Sequence, residues 1–246
     1  MDDRHSNGAR LRIGFAPRLL VAASAGAAAL AIVVLILAVS HKPVNSGPAS
    51  SIVGGEALVE FPYETASDVV SYADQVSRVT AISEKRAPDD VAPGEGDGSL
   101  ITREVTFRIE ETFWHREGAP SLDGTFVASR GGWVSQSFDD GPKVEAKLVL
   151  EGAPWIDVGS QYIMPLAFNK DEWEPIMPLA EFAFDSDLGV SPEASQMTPL
   201  ANELSGATLD EVTVVFTAAT PDPAAAQHFD LQPSARQRAV IAERSD

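Results

Sequence analysis

The strictest pattern in this sequence is an alternation of apolar and polar residues between Ile101 and Phe113. Its apolar positions are Ile101, Val105, Phe107, Ile109 and Phe113, and its polar positions are Thr102, Glu104, Thr106, Arg108, Glu110 and Thr112. Successive side chains of a strand point to opposite faces, so the pattern predicts a strand with one buried and one solvated face. Such strands are typical of antiparallel sheets.

Further strands are predicted at intervals marked by turn residues such as Asp139-Asp140-Gly141-Pro142 and Gly152-Ala153-Pro154. The predicted strands cover residues 76–83, 124–130, 144–150, 161–168 and 182–184. Five or six short strands in one domain favour a small, closed or nearly closed β-barrel. The expected fold class is therefore mainly β, with an antiparallel OB-like barrel over residues 59–220.

Two short helices complete this expected domain. Residues 64–73 carry apolar side chains at helical spacing, and the capping box Thr208-Leu209-Asp210-Glu211 opens a second helix that extends to Ala218. Residues 221–246 are rich in Pro, Ala and Gln. We expect them to form a flexible acidic tail, with a frayed helix from Ser234 to Glu243.

An uncharged run from Leu19 to Val39 predicts a transmembrane helix over residues 19–40. At about 1.5 Å per residue the run matches a hydrocarbon core of roughly 30 Å. Basic residues are more frequent before the run than after it, so residues 1–18 are expected in the cytoplasm. Residues 41–58 then form a linker, and the domain is extracytoplasmic. A signal peptide cleaved after Ala38-Val39-Ser40 is the alternative, although its apolar region is usually about 7–15 residues.

Charge and cysteine content exclude several classes of function. The chain of 246 residues has a formal net charge of −18, and residues 45–246 alone carry 13 basic and 34 acidic residues, a net of −21. Such a field repels phosphate backbones, so a nucleic-acid partner is not expected. The chain has no cysteine, which excludes disulfides, thiol catalysis and cysteine-bound zinc or iron–sulfur clusters.

No constellation in the sequence indicates a catalytic site, a cofactor or a metal. His115 lies near a strand end, no G-x-S-x-G motif is present, and Glu110 and Glu111 are expected on opposite strand faces. Whether the acidic turns at Asp139 and Asp185 bind calcium weakly stays open, because neither completes a calcium loop.

Four tryptophans are the candidate binding residues, since each lies near a predicted strand end or turn. They are Trp114, Trp133, Trp155 and Trp173. Tryptophan is enriched in binding hot spots. The alternative is that these rings plug the two ends of a small barrel.

Parts of the sequence between residues 64 and 170 resemble a known family. A helix at 67–70 leads through an Ala-Asp step into an apolar strand at 73–85, an alternating strand follows at 102–110, and Val158-Gly159-Ser160-Gln161-Tyr162 begins a later strand that continues to Leu166. This order resembles the TIMP/netrin-like branch of OB-fold barrels. The resemblance implies a five-stranded Greek-key barrel. The metalloproteinase inhibition known in that family depends on an N-terminal cysteine that chelates the protease zinc, and no cysteine exists here.

We therefore expect a single-pass membrane protein with a cytoplasmic N-terminus and an acidic extracytoplasmic domain. Its Ala-, Asp- and Val-rich composition without cysteine is typical of a bacterial cell envelope. The favoured function is a non-enzymatic binding or scaffold module, attached to the membrane through residues 19–40 and able to take a protein partner. The alternatives are an envelope hydrolase with an unrecognised site and an accessory subunit of a membrane complex.

Overall fold

The structure is a computed structural model that describes residues 52–55, 61–87, 98–136, 144–192 and 198–245. The predicted cytoplasmic tail and transmembrane helix, and the acidic turn at Asp139, lie outside these residues. Among the residues that the structure describes, no helix is both long enough and apolar enough to cross a membrane.

Strands dominate the described part of the chain, as predicted. They are β1 (Ile52–Gly55), β2 (Gln75–Arg86), β3 (Gly98–His115), β4 (Thr125–Gln136), β5 (Val144–Leu150), β6 (Gln161–Asn169), β7 (Glu172–Pro175), β8 (Phe182–Asp185) and β9 (Gly189–Ser191). All nine belong to one sheet in the order β1-β5-β4-β3-β2-β6-β8-β9, and β7 pairs with the second half of β6.

The sheet is a curled half-barrel that is antiparallel except at one edge. Only the β1–β5 pair is parallel among the strand pairs of the described residues. Although β4 and β7 are not neighbours in the sheet order, they lie against each other, so the sheet curls through β3, β2 and β6. The prediction of a mainly β, antiparallel fold is confirmed at this level.

Helices cover one face of the curled sheet. They are α1 (Ala66–Tyr72), α2 (Pro199–Leu204), α3 (Leu209–Ala218), α4 (Pro223–Ala226) and α5 (Pro233–Glu243), with a 3₁₀ turn at Pro178–Ala180. The predicted capping box of α3 is present, because the Thr208 hydroxyl accepts the Glu211 N–H and the Glu211 carboxylate accepts the Thr208 N–H. The prediction of two short helices is wrong, since five occur in the described residues.

Two cores lie on opposite faces of the sheet. The outer core packs between the sheet and the helices and includes Val70, Phe113, Ile163, Leu204 and Phe216. The inner core fills the curl and includes Val105, Phe107, Phe126, Tyr162 and Met164. Phe107 is fully buried, and its neighbours Thr106 and Arg108 are not, which confirms the alternation predicted for this part of the strand. Phe113, predicted on the same face as Phe107, packs in the outer core instead, because the β2–β3 register shifts between Ile109 and Glu111.

The C-terminal residues correct the prediction of a flexible tail, although the helix predicted from Ser234 to Glu243 is present as α5. They form α4 and α5, and both Arg236 and Val240 of α5 are buried. Arg236 donates from Nη1 to the Ser71 carbonyl at 2.8 Å, and its Nη2 lies 3.6 Å from the Asp74 carboxylate. The sequence pattern did not indicate this packing because two partners of Arg236, Ser71 and Asp74, lie more than 160 positions earlier in the chain.

The predicted linker over residues 41–58 is corrected at the four of its residues that the structure describes. Residues 52–55 form β1, which pairs in parallel with β5 and places Ile52 opposite Lys147. A four-residue edge strand is too short to show a period of its own, and its partner strand decides its conformation.

Candidate binding site: an aromatic and cationic cluster

Two of the four candidate tryptophans come together in the structure. The ring centroids of Trp133 on β4 and Trp155 in the β5–β6 loop are 6.0 Å apart at an interplanar angle of 68°. Trp114 packs against the outer core, whereas Trp173 packs against the inner core and lies 5.5 Å from the Phe168 ring. The four rings therefore do not form one patch.

Three cations surround the Trp133–Trp155 pair. The guanidinium carbon of Arg103 lies 3.8 Å from the Trp155 centroid, and the Lys147 ammonium lies 4.6 Å from the same centroid. The guanidinium carbon of Arg86 lies 5.5 Å from the Trp133 centroid. These distances are within the range of cation–π attraction. We call Arg86, Arg103, Trp133, Lys147 and Trp155 the aromatic–cationic cluster.

Strand register brings the cluster together from four strands. Arg86 of β2 is directly opposite Arg103 of β3, and Trp133 of β4 is directly opposite Lys147 of β5. Directly opposite residues of neighbouring strands share a face of the sheet. The cluster therefore lies on one face, where β2, β3, β4 and β5 run side by side.

A β-bulge at Gly132 aims Trp133 at this face. Ile101 pairs with Trp133 and Thr102 pairs with Gly131, so Gly132 is the extra residue of β4. A Cβ at position 132 would lie 2.5 Å from the Ile101 carbonyl oxygen, a distance that only glycine avoids. Bulges re-aim side chains in this way.

The loop that carries Trp155 is held by Tyr162 of β6. The Tyr162 hydroxyl donates to the Trp155 carbonyl at 3.2 Å and accepts the Asp157 N–H at 2.8 Å. Burial is the main cause that raises the pKa of Tyr162, so the phenol stays protonated and keeps its donor. Ile156 is buried in the inner core and adds a second attachment.

Two carboxylates pair with the cations of the cluster. Arg86 binds Glu145 through two hydrogen bonds of 2.8 and 3.0 Å, and Arg103 pairs with Glu84. Arg103 also donates from Nε to the Gly131 carbonyl at 3.1 Å. Counting only the described side chains, the cluster and its two carboxylate partners carry three positive and two negative charges.

Arg130 extends the row of arginines beyond the cluster. It lies opposite Arg103, its Nη2 donates to Glu181 at 2.8 Å, and its guanidinium carbon lies 5.6 Å from the Phe107 centroid. Burial raises the pKa of Glu181, and the charge of Arg130 opposes this shift. The buried Nε of Arg130 has no hydrogen-bond partner in the structure.

The other candidate chemistry is not assembled into a site. His115 Nε2 lies 3.0 Å from the Pro120 carbonyl oxygen, and the Asp185 carboxylate accepts the N–H groups of Asp187 and Leu188. The described ranges contain no group of three or more His, Asp or Glu side chains that could hold a metal ion.

Glu110 and Glu111 lie on the same face of the sheet, contrary to the prediction. The register shifts between Arg78–Glu111 and Val79–Ile109, which makes Glu110 an extra residue of β3. Glu110 accepts a hydrogen bond of 2.6 Å from Thr80, and Glu111 lies 3.4 Å from Arg78. Because Arg78 and Thr80 are two positions apart on β2, both carboxylates reach one face. Their own partners occupy them, and they do not form a carboxylate pair.

Sequence reasoning missed Arg86, Arg103 and Lys147, although one signal for Arg103 was available. Arg103 occupies the parity of β3 that also holds Ile101, Val105 and Phe107, and a charged residue at a buried-parity position is unusual. Arg86 and Lys147 lie at solvated-looking positions, and only the register reveals that they meet.

Comparison with protein-family models and with curated protein sequences gives no match to this chain.

Proposed function

We propose that this chain is a membrane-anchored, extracytoplasmic binding or scaffold module of a bacterial cell envelope, with the aromatic–cationic cluster as its binding surface. The observation that carries the proposal is the Trp133–Trp155 pair bordered by Arg86, Arg103 and Lys147. Tryptophan and arginine are the side chains most enriched where binding energy concentrates. His115, the histidine considered for the hydrolase alternative, is hydrogen-bonded to a backbone carbonyl and not to a carboxylate.

The strand arrangement supports an OB-like interpretation of the half-barrel. Around the curl the order is β4-β3-β2-β6-β7, and β7 lies beside β4. With β2 as the first strand, this is the order of a five-stranded Greek-key barrel in which the last strand approaches the third. The relation to TIMP/netrin-like barrels remains a proposal, and fold alone assigns no activity.

The membrane anchor is supported by the uncharged run at residues 19–39 and by the arginines that precede it. The test is the retention of the full chain in membranes after an alkaline wash, together with its intact mass. We expect retention and an uncleaved mass. A double substitution Val33→Arg, Leu35→Arg should abolish retention, and Ala27→Leu, the matched control, should not. A mature N-terminus near His41 would overturn the anchor.

The binding surface is tested by photo-cross-linking in intact cells. A photoreactive residue replaces Val158, which is exposed in the loop that carries Trp155, or Val214, which is exposed on α3. We expect discrete adducts from position 158 and none from position 214. Equal labelling from both positions, or none from position 158, would contradict a binding surface at the cluster.

A further inference from the structure

We propose that the aromatic–cationic cluster binds the anionic headgroups of the membrane in which the chain is anchored and so holds the domain against the bilayer. This inference rests on the proposed membrane anchor. It names the ligand of the proposed surface, a lipid phosphate, and it gives the surface an orienting role.

The first argument is the length of the connection between the predicted span and the cluster. The span ends at residue 40 and β1 begins at Ile52, which leaves 11 residues between them. Fully extended, these reach at most about 40 Å, at about 3.6 Å per residue. Ile52 is directly opposite Lys147, a member of the cluster. The chain that follows the proposed span therefore enters the sheet beside the cluster, and its reach is long enough to let the cluster contact the membrane surface.

The second argument is the chemistry of the side chains at this edge. Tryptophan is enriched at membrane–water interfaces, where its ring is apolar and its N–H reaches water. Each Lys or Arg near an anionic membrane surface favours binding by about fivefold. The cluster combines two tryptophans with the cations Arg86 and Lys147 within one short stretch of the sheet, and the third cation, Arg103, is buried against Trp155.

The third argument is the contrast with the rest of the domain. Residues 45–246 carry a net charge of −21, so an anionic bilayer repels most of the domain surface. Charges beyond a Debye length of about 10 Å at 0.1 M salt are largely screened. Among the described side chains, the cluster has one cation more than its carboxylate partners, Glu84 and Glu145, and this excess lies where the tether enters the sheet.

Binding requires a lipid phosphate to take the place of a carboxylate partner, and this exchange is possible at Arg86. The side chains of Arg86 and Glu145 are 41% and 42% exposed, so a phosphate in the surrounding water can reach the guanidinium that Glu145 binds through two hydrogen bonds, and phosphate accepts the same two-bond geometry. A lipid phosphate can therefore replace Glu145 as the partner of Arg86. Arg103 is buried under Trp155 and serves to orient that ring.

The experiment uses the full chain reconstituted in nanodiscs of phosphatidylcholine alone or mixed with phosphatidylglycerol. A lipid with a nitroxide on its headgroup quenches tryptophan fluorescence at short range. We expect stronger quenching in the discs with phosphatidylglycerol, and we expect added salt to weaken it. Equal quenching in the two kinds of disc would overturn the proposal.

Two double variants locate the effect. Arg86→Gln with Lys147→Gln removes two cations of the cluster and should abolish the increase that phosphatidylglycerol causes. Lys85→Gln with Arg238→Gln is the matched control, because it removes the same charge from exposed positions, Lys85 being the neighbour of Arg86 on the opposite strand face. The control should retain the increase. A similar loss in both variants would mean that net charge, and not the cluster, decides the effect.

Two further measurements answer two questions. The first asks whether the cluster binds a lipid headgroup or a free anion, and the second asks whether the proposed binding surface or the proposed membrane anchor is wrong. Inorganic phosphate added to phosphatidylcholine discs at matched ionic strength should change the fluorescence no more than chloride does. A specific response to phosphate with no effect of phosphatidylglycerol would assign the site to a free anion and overturn the lipid role.

Co-purification of the chain with the discs reports the anchor independently. If the chain stays in the discs and its quenching does not depend on phosphatidylglycerol, only this inference is refuted. If the chain is lost from the discs, the proposed anchor is refuted.

Discussion

The guanidinium of Arg103 stacks on the ring of Trp155, with 3.8 Å between the guanidinium carbon and the ring centroid, and Arg103 is 2% exposed. A charge so deeply buried needs partners that replace water. Arg103 has three of them, namely the Trp155 face, the Gly131 carbonyl and the Glu84 carboxylate. The contact thus ties the β5–β6 loop to the sheet and shapes the proposed binding surface.

A double-mutant cycle with Arg103→Met and Trp155→Leu measures this contact. We expect a coupling free energy of about 0.5–2 kcal/mol, since desolvated cation–π pairs have that range and contacting residues are not additive. Urea unfolding of the four proteins gives the value. Arg108→Gln with Trp155→Leu is the control cycle, because Arg108 pairs with Glu110 and not with Trp155. Equal coupling in both cycles would contradict a direct Arg103–Trp155 interaction.

Phe107→Ala should destabilise the domain by about 3–5 kcal/mol, as buried aromatic truncations do. Phe107 is fully buried and stacks on Phe126, with ring centroids 5.1 Å apart. Thr106→Ser, at the neighbouring position on the opposite face, should change the free energy of unfolding by no more than about 0.5 kcal/mol. Chemical denaturation compares the two. Similar losses at both positions would refute the inward orientation of Phe107.

Asp74→Asn should cost about 3–5 kcal/mol, because it removes the only carboxylate that pairs with two largely buried arginines among the described residues. The Asp74 carboxylate lies 2.8 Å from Arg116 Nε and 3.6 Å from Arg236 Nη2, and it also accepts the Phe168 N–H at 2.9 Å. The exposed Asp123→Asn is the control and should be nearly neutral. If Asp74→Asn lowers the free energy of unfolding by less than about 1 kcal/mol in thermal unfolding, the Asp74–Arg236 pair does not hold α5 against the sheet.

Alkaline titration should reveal two late-titrating phenols among the three tyrosines of the chain. Burial is the main cause that raises the pKa of both Tyr72 and Tyr162 above the ordinary value of 10.0. The folded state therefore favours the neutral phenols. Their contribution to stability is fully present below pH 10.0 and is lost as the pH rises through the raised pKa values.

The phenolate absorbance of the folded chain measures this titration. Tyr72→Phe and Tyr162→Phe should each remove one late-titrating group and leave the other in place. If either variant keeps both late-titrating groups, the phenol that it replaces is not buried as described.

Local patterns predicted the elements whose own residues carry the necessary information. The alternation around Phe107 predicted β3 and its buried face, since a strand places every second side chain on the same side. The Thr208–Glu211 capping box likewise predicted the start of α3, because both partners lie within one helical turn.

Predictions that depended on distant partners were wrong or incomplete. The C-terminal segment looked like a tail because Arg236 appears in sequence as one more surface charge, yet Asp74 and Ser71 bury it. The prediction that Glu110 and Glu111 lie on opposite strand faces was wrong because of a bulge, which depends on how β3 pairs with β2. Neither feature leaves a local periodic signal.

By itself, the sequence determined the mainly β class, the inward-facing residues of β3 around Phe107, the start of α3 and the acidic character of the domain, because these follow from residue periodicity, capping and charge. Only the tertiary structure decided that Trp133 and Trp155 meet while Trp114 and Trp173 do not. It also decided that Arg86, Arg103 and Lys147 join them. The physical reason is that cross-strand register and a glycine bulge set these distances, and both depend on pairings between residues remote in the chain.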